Sequence, residues 1–254
     1  AYLDAWQISG DEDFKQTVEG IFRYLLDDLL DEGGAFHAAE DADSLPDETS
    51  ERKREGAYWT WEAEGIYKML DPRDAAIFSA AYGVVAEGNA RPESDPHGEL
   101  EKQNTLFRAM RDDALAEMFD CPEDEIRERL DAAKLILLDA RRRRPLPHRD
   151  DKIVTAWNGL TIGALAKGGR VLDRSDLIDA AETAAAFLMA NLWNGETLFR
   201  SHRKKRSDVE GFPADYAFLI SGLIELHGVR PKGGWLEWAA ELQIIMDRKF
   251  WDST

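Results

Sequence analysis

The sequence predicts an all-α fold, and three observations support this fold class. Apolar residues recur in long segments at the 3.6-residue spacing of a helix. Strict alternation of apolar and polar residues, which is typical of a strand, is confined to short pieces at 57–61 and 197–200. The chain has 254 residues, 44% of them hydrophobic, with eight Trp and eleven Phe, which is enough to fill a sizeable core. We therefore expect one domain built from helices, with short strands only in its loops.

Local signals mark the starts of several predicted helices. Thr60 precedes one helix, Pro122 lies in the first turn of another, and Pro213 opens a third. Hydrophobic periodicity gives the extents. Helices are predicted near 11–30, 61–70, 72–82, 104–119, 122–142, 152–171, 175–192, 213–228 and 234–250.

The predicted helices are of two kinds. Segment 122–142 combines an apolar stripe with a heavily charged opposite face, as an outer helix does. Segment 152–171 is almost entirely small or apolar over most of its length, which is typical of a helix with neighbours on most sides. We therefore expect two layers of helices. Two connections, 86–103 and 194–211, are longer than ordinary loops, and loops of that length tend to be functional or disordered.

The charge balance argues against nucleic-acid and membrane partners. Fifty Asp and Glu against 32 Lys and Arg give a net charge of -18, which repels phosphate backbones and anionic lipid. The basic run 141–144 is assigned to a helix end, where cations oppose the helix dipole, and the run 203–206 to a loop. No stretch approaches the roughly 20 apolar residues of a membrane helix. The single cysteine, Cys121, excludes an intrachain disulfide and suits a reducing compartment, so we expect a soluble, cytoplasmic protein.

A glycine turn at 33–34 is followed by clustered carboxylates with aromatic residues nearby. Such a set can bind a sugar or a metal, or can divide into an acid and a base. It is more commonly a solvated acidic turn whose Asp and Ser bond the local backbone. An EF-hand is excluded, because a loop begun at Asp41 has Pro46 and Arg52 where Gly and Glu are needed. The cluster and its aromatic neighbours are Phe36, Glu40, Asp41, Asp43, Trp59 and Trp61.

Two further polar sets occur at predicted helix starts. Before helix 152–171 an aspartate can serve as the helix cap. Asn and Gly within that helix lower its helix propensity, so their presence indicates a polar contact or close packing at that point. At the start of helix 213–228 an acid favours the helix dipole. The members of the two sets are Asp150, Asp151, Lys152, Trp157, Asn158, Asp215 and Tyr216.

Several enzyme classes lack their signatures in this sequence. The five histidines show no pair at metal-ligand spacing. No P-loop, glycine-rich dinucleotide turn or Gly-x-Ser-x-Gly elbow occurs. We therefore expect neither a bound metal nor a cofactor.

Short motifs spread over nearly the whole chain carry a family resemblance. They are Gly33-Gly34-Ala35-Phe36, Ala39-Glu40-Asp41-Ala42-Asp43-Ser44, Glu55-Gly56-Ala57-Tyr58-Trp59-Thr60-Trp61, Tyr82-Gly83-Val84, Gly88-Asn89, Asp150-Asp151-Lys152, Trp157-Asn158-Gly159-Leu160, Asp215-Tyr216-Ala217-Phe218, Trp235-Leu236-Glu237-Trp238-Ala239 and Phe250-Trp251-Asp252-Ser253. In this order they resemble the spermatogenesis-associated protein 20 family.

The resemblance implies a longer protein in which a thioredoxin-like domain precedes a six-hairpin (α/α) toroid of antiparallel helix pairs. That toroid is similar to N-acylglucosamine 2-epimerases and six-hairpin glycosidases. Residues 1–254 would then be an incomplete toroid, and the thioredoxin-like domain would lie outside this chain as a partner. Because inner-helix ends of such toroids converge on a central cavity, Asp41, Asp43, Asp150 and Asp215 are expected to line one cavity as candidate catalytic groups.

Two functions remain open at this point. One is a non-catalytic toroid that binds a sugar-like small molecule or a protein. The other is a carbohydrate-active enzyme: a glycosidase would use one carboxyl as general acid and another as nucleophile or base. A sugar 2-epimerase would need an acid and a base on opposite faces, for which His37 and His148 are the histidines near motifs. The expected ligand-binding residues are Phe36, Glu40, Trp59, Trp61, Lys152, Trp157, Asn158 and Tyr216.

Overall fold

The computed structural model describes residues 1–90, 93, 95 and 98–252. In that part of the chain, α-helices and one π-helical turn are joined by loops that contain short β-strands. The helices are α1 (Tyr2–Ser9), α2 (Glu12–Tyr24), α3 (Ala63–Met69), α4 (Pro72–Tyr82), α5 (Asp112–Phe119), α6 (Glu123–Arg142), α7 (Thr155–Leu172), α8 (Ser175–Leu192), α9 (Pro213–Val229) and α10 (Trp235–Phe250), and the π-helical turn is Leu25–Leu29. The strands are β1 (Ala39–Glu40), β2 (Asp43–Ser44), β3 (Arg54–Glu55), β4 (Trp61–Glu62), β5 (Gln103–Asn104), β6 (Arg149–Asp150), β7 (Ile153–Val154), β8 (Ser201–Arg203) and β9 (Lys205–Arg206). The prediction of an all-α chain with short β-strand pairs in its loops is confirmed.

The chain divides into two compact units, and each has its own hydrophobic core. The first unit comprises residues 1–39 and 149–254, and the second comprises residues 40–148. Helices α1, α2 and α7 to α10 belong to the first unit, and α3 to α6 belong to the second. Within the described ranges, every helix is too short or too polar to span a bilayer.

Consecutive helices of the first unit pair through short connections. Helix α7 packs against α8 and α9, and α9 packs against α10. Residues 173–174 join α7 to α8, and residues 230–234 join α9 to α10. Connections of this length make neighbouring helices antiparallel. Helix α7 therefore has helices on two sides, which agrees with the small and apolar composition predicted for an inner helix.

Helices α7 and α9 approach each other through their backbones. A Cβ atom on Gly222 would lie 2.2 Å from the carbonyl oxygen of Gly159. A Cβ atom on Gly159 would lie 2.5 Å from the backbone nitrogen of Leu219. Neither position has room for a side chain, because these distances are far below van der Waals contact. Close packing therefore explains the glycine inside α7.

The N-terminal region is more helical than predicted. Helix α1 was not expected from the sequence, and it ends at Gly10, whose left-handed φ of 70° suits glycine. The predicted helix 11–30 is α2 followed by the π-helical turn. Asp11 caps α2 by accepting a hydrogen bond from the backbone nitrogen of Asp13 at 3.0 Å.

Helix α6 organises the second unit by packing against α3, α4 and α5. Strand β2 pairs with β3, and β4 pairs with β5, both antiparallel. The apolar stripe of α6 is buried as predicted for an amphipathic helix. Its buried residues are Ile126, Leu130, Ala133 and Leu137.

Prolines mark helix starts as predicted. Pro213 is the first residue of α9, and Pro122 directly precedes α6. Pro72 likewise opens α4, where Asp71 caps the helix by accepting from the backbone nitrogen of Arg73 at 3.0 Å.

The prediction of a helix over 104–119 is wrong at its start, because α5 begins only at Asp112. The Asn104 side chain donates to the carbonyl oxygens of Trp61 and Val85 and accepts from the Val85 backbone nitrogen. These bonds, with the pairing of β4 and β5, hold this segment extended. Tertiary hydrogen bonding therefore overrides local helix propensity here.

The predicted alternation at 57–61 becomes a turn followed by a strand. Only Trp61 enters β4, and α3 begins after Glu62. Thr60 is therefore not the cap that the sequence indicated. Its hydroxyl instead donates to the carbonyl oxygen of Gly56 at 2.9 Å, inside the turn.

The alternation at 197–200 forms isolated bridges at Leu198 and Phe199, just before β8. The long connection 194–211 carries the β8–β9 hairpin, and β8 also pairs with β7. The other long connection, 86–103, lies partly outside the described residues.

Candidate functional site

One buried carboxylate in the first unit ties together the starts of two helices. Asp215, in the first turn of α9, is closed to solvent. Its Oδ1 accepts from the backbone nitrogen of Ala156, in the first turn of α7, at 3.0 Å. Its Oδ2 accepts from the backbone nitrogen of Phe212 at 2.9 Å and from Arg200 at 3.3 Å. The N-terminal ends of α7 and α9 therefore lie side by side.

The environment of Asp215 is that of a structural carboxylate. Unpaired backbone N–H groups and the positive end of the helix dipole favour an anion at each helix start, and here one anion serves both. Three donors occupy its two oxygens, and Arg200 balances its charge. The predicted catalytic role of Asp215 stays a prediction.

Asn158 provides the second polar tie of the first unit. Its side-chain oxygen accepts from the backbone nitrogen of Phe36 at 2.8 Å, and its side-chain nitrogen donates to the Phe36 carbonyl at 2.9 Å. The same nitrogen donates to Val154 at 3.1 Å. Both Asn158 and Phe36 are buried. A polar contact therefore accounts for Asn within α7, as close packing accounts for Gly159.

The glycine turn before Phe36 is required by its neighbours. Gly34 has a φ of +92°, which L residues rarely adopt. A Cβ atom there would also lie 2.3 Å from Cγ2 of Thr183 on α8. The turn therefore fixes the chain that leads to the Asn158 contact.

Two aromatic side chains at the joined helix starts face solvent. Trp157 is 52% exposed and Phe212 is 51% exposed. The guanidinium of Arg200 lies 4.7 Å from the ring centroid of Phe212, which is a cation–π distance. Exposed aromatic rings next to charged groups can bind polar ring-shaped ligands such as sugars, which stack on the rings and form hydrogen bonds with the charged groups.

Charged residues precede α7 at the same end. Asp150 pairs with Lys152 at 3.0 Å, and this hydrogen bond lowers the pKa of the Asp150 carboxyl below its usual value. Asp151 pairs with Arg203 on β8. We call the following set the helix-start surface. It consists of Asp150, Asp151, Lys152, Trp157, Arg200 and Phe212.

Two members of the helix-start surface, Arg200 and Phe212, were not among the predicted site residues. Arg200 lies in the alternating piece 197–200, and Phe212 directly precedes Pro213, which opens the third of the marked helices. The position of Phe212 next to a helix-opening proline was an available signal, whereas the Arg200 contact depends on tertiary structure. Tyr216, which was predicted to bind ligand, is buried, and its hydroxyl accepts from the backbone nitrogen of Leu198 at 3.3 Å.

The acidic loop of the second unit is built around Asp41. Its carboxylate accepts from the backbone nitrogen of Asp43 at 3.2 Å and from Lys53 at 3.0 Å. The backbone bond and then the Lys53 bond lower the pKa of the Asp41 carboxyl. Asp43 lies in β2 opposite Glu55 of β3, and Glu40 is half-buried. The loop therefore contains the local Asp–backbone bond of an acidic turn.

Arg144, just after the end of α6, binds the turn at residues 57–60 of the second unit. Arg144 donates to the carbonyl oxygens of Ala57, Tyr58 and Thr60 at 3.3, 3.0 and 2.8 Å. Its guanidinium also lies 4.0 Å from the ring centroid of Trp61. Burial lowers the pKa of the Arg144 guanidinium. Arg141 and Arg142 lie in the last turn of α6, as predicted for a basic run at a helix end, whereas Arg144 binds this turn.

The predicted site residues fall into both units. Phe36, Asp150, Lys152, Trp157, Asn158, Asp215 and Tyr216 belong to the first, and Glu40, Asp41, Asp43, Trp59 and Trp61 belong to the second. Trp61 is buried, and Trp59 stacks edge-on against Tyr58. The expectation that Asp41, Asp43, Asp150 and Asp215 line one cavity spans both units and stays a prediction.

The histidines near motifs differ in exposure. His37 is buried, with its Nε2 3.5 Å from Asp31, whereas His148 is exposed. Among the described residues, no group of three or more His, Cys, Asp and Glu side chains is arranged to hold a metal ion.

Comparison with known proteins gives a consistent set of relatives. No family model matches the chain. It is 35% identical over 272 residues to spermatogenesis-associated protein 20 of Homo sapiens, 34% identical over 275 residues to that of Rattus norvegicus and 33% identical over 274 residues to that of Mus musculus. These alignments cover 100%, 99% and 99% of this chain and 34% of each relative. The chain thus spans about a third of the length of the curated relatives that it matches.

A solved structure of a UGL variant with dGlcA-Glc-Rha-Glc is also similar, at 13% identity with 97% of this chain and 59% of that chain covered. Its TM-score of 0.35 is too low to establish a shared fold. The decisive finding is therefore the sequence similarity to the three mammalian proteins, which extends over at least 99% of this chain. Over the segment that it spans, the chain belongs to the spermatogenesis-associated protein 20 family.

Proposed function

We propose that this chain is the ligand-binding part of a spermatogenesis-associated protein 20-type protein, and that its ligand is sugar-like. The proposed site is the helix-start surface. The observation that carries the proposal is the Asp215 carboxylate, which joins the starts of α7 and α9 beside the exposed rings of Trp157 and Phe212.

The chemistry of the helix-start surface suits a polyhydroxylated ring. Trp157 and Phe212 offer flat apolar faces to the C–H side of a sugar. Asp150 and Asp151 can accept hydrogen bonds from hydroxyl groups, and Lys152 can donate them. A few polar groups around aromatic surface are what orient a small ligand in a site.

The remaining parts of the proposal rest on the family. We propose that the chain belongs to an (α/α) toroid, that a thioredoxin-like domain of the same protein is its partner, and that it acts in the cytoplasm on carbohydrate. In the second unit, Asp41 and Asp43 remain candidate catalytic groups, and Glu40, Trp59 and Trp61 remain candidate ligand contacts, each to be tested by its own variant.

The test is a thermal-shift screen of the intact protein against a panel of neutral and acidic sugars. A ligand that binds only the folded state raises the melting temperature. Trp157→Ala is expected to lower the affinity for such a sugar by about tenfold, because a lost stacking face removes on the order of 1.5 kcal/mol. The matched control is Trp251→Ala, which removes a 77% exposed tryptophan outside the site. The proposal fails if no sugar raises the melting temperature, or if the two variants bind equally well.

A carbohydrate-active enzyme is the second candidate, favoured by the two adjacent carboxylates Asp150 and Asp151, which are neither buried nor fully exposed. Hydrolysis would require one as acid and the other as base or nucleophile. Asp150→Asn and Asp151→Asn are then expected to abolish turnover of a bound sugar and to lower its affinity much less, because the Asn side-chain oxygen still accepts hydrogen bonds. Binding without any turnover by the unmodified protein would leave the non-catalytic function.

A further inference from the structure

The second unit contains a cavity with a mixed apolar and cationic lining. Its volume is about 220 Å³. It lies along α6, with contributions from α4, β4 and the segment after β5. The residues that line it are Trp61, Phe78, Leu106, Lys134, Leu137, Leu138 and Arg141.

The inner wall of this cavity is apolar. Trp61, Phe78 and Leu137 belong to the core of the second unit and are almost completely closed to solvent. Such a wall favours an apolar ring over water, because removing apolar surface from water contributes about 25 cal/mol per Å².

Arg141 supplies a positive charge at the cavity. Its guanidinium lies 5.5 Å from the ring centroid of Tyr58 and 5.0 Å from that of Trp59, so aromatic faces hold it in place. Its Nε is buried and has no hydrogen-bond partner among the described residues. Because Arg141 lines the cavity, its guanidinium is placed to pair with an anion bound there.

Lys134 supplies the second cation. Its side chain pairs with Asp131 at 2.9 Å, but that carboxylate is 71% exposed and lies one helical turn earlier. Exposed pairs of this kind contribute only about 0–1 kcal/mol, so Lys134 can turn to a second anion at little cost. Two cations beside one largely apolar cavity stand out in a chain whose net charge is -18.

We propose that this cavity binds a small planar aromatic carboxylate. The ring would pack on Trp61 and Phe78, and the carboxylate would accept from Arg141 and Lys134 at the cavity edge. Size agrees with this ligand, because an apolar cavity of about 150 Å³ is enough for benzene and the carboxylate needs further room. The charge of the edge selects an anion over a neutral molecule of the same shape. This site is independent of the helix-start surface, since it uses other residues and another ligand.

The probe for the test is benzoate, titrated into the intact protein, with benzyl alcohol as the neutral molecule of matched shape. Benzoate is expected to bind at least about tenfold more tightly than benzyl alcohol, because hydrogen bonds to charged groups contribute about 1.5–3 kcal/mol. Methyl resonances of Leu106, Leu137 and Leu138 should shift on binding, which locates the ligand in the cavity. Equal affinities for the two probes, or shifts elsewhere only, would overturn the proposal.

Variants distinguish a specific effect of the two cavity cations on benzoate binding from a nonspecific effect of losing a positive charge. Arg141→Met and Lys134→Met are each expected to lower benzoate affinity by about tenfold and to leave benzyl alcohol affinity unchanged. The matched control is Arg143→Met, which removes a cation from the same helix end that pairs with Asp139 outside the cavity. Lys134→Met also keeps the test decisive if Arg141→Met fails to fold. Unchanged benzoate affinity in the folded variants, or an equal loss in the Arg143 control, would sink the idea.

Discussion

Asn158 and Phe36 exchange two hydrogen bonds across 122 positions of sequence, with the Asn158 side chain acting as both acceptor and donor to the Phe36 backbone. Phe36 also forms an antiparallel bridge with Leu30, and Asn158 pairs with the backbone N–H and C=O of Phe36 itself. A side-chain amide can pair with a peptide group because each carries a carbonyl acceptor and at least one N–H donor. The contact therefore anchors the glycine turn of the N-terminal segment to α7.

Replacing Asn158 tests this anchor. Asn158→Ala leaves the buried Phe36 N–H and C=O without partners and is expected to lower the free energy of unfolding by about 2–4 kcal/mol. Urea denaturation measures the loss. The control is Asn191→Ala, which removes a single bond to the carbonyl of Phe187 in its own helix and should cost no more than about 1 kcal/mol. Equal costs for the two variants would contradict the anchoring role.

The glycine contact between α7 and α9 gives a second prediction. Gly222→Ala would bring a methyl group to 2.2 Å from the Gly159 carbonyl and is expected to destabilise the protein by about 3 kcal/mol. Gly228→Ala, in the same helix but with open space around it, is expected to stabilise by about 0.5–1 kcal/mol. Thermal unfolding of the two variants should therefore shift in opposite directions. A harmless Gly222→Ala would show that the two backbones are farther apart than described.

The double cap by Asp215 gives a third prediction. Asp215→Asn keeps one acceptor oxygen and replaces the other with an NH2 group, which faces backbone or guanidinium donors and cannot accept from them. We therefore expect the free energy of unfolding to fall by about 3 kcal/mol. Asp208→Asn, a change of the same kind at an exposed position, should alter stability by less than about 0.5 kcal/mol. Denaturant midpoints of both variants provide the comparison, and a small effect at Asp215 would refute the double cap.

The acidic loop gives a prediction about pH. The pKa of the Asp41 carboxyl is lowered by its bonds to Asp43 and Lys53, so this group stabilises the folded state above its unfolded pKa of about 3.9. That contribution is lost as the pH falls through the lower folded pKa. An NMR titration that follows the Asp41 carboxyl carbon should show the lowered pKa. Lys53→Met should raise this pKa only part of the way to its usual value, because the hydrogen bond from the Asp43 backbone remains. Lys68→Met, whose partner is Glu64, should leave Asp41 unchanged.

Helix positions and helix starts were predicted correctly where they depend only on the local sequence. Hydrophobic periodicity located α6 and α9, and Pro213 marked a true helix start. The oddity of Asn158-Gly159 within a helix correctly indicated a polar contact or close packing, and the structure shows both. The partners, Phe36 and Gly222, could not be inferred because no sequence signal couples positions so far apart.

Features set by tertiary partners escaped prediction. Asn104 has the sequence context of a helix start, but its side chain bonds to Trp61 and Val85 keep the segment extended. Arg144 looked like a cation at a helix end, whereas its donors bind the turn that contains Tyr58. In both cases a long side chain finds acceptors remote in sequence, and local propensity carries no information about them.

The bond from Ala156 to Asp215 has a consequence for how a ligand would arrive. Since one carboxylate fixes two helix starts, the surface beside Trp157 is preorganised and does not have to be assembled during association. A ligand there would lose little of its binding free energy to ordering the protein. Its free and bound forms should then superimpose at the backbone, and soaking a crystal of the free protein should be enough to see it bound.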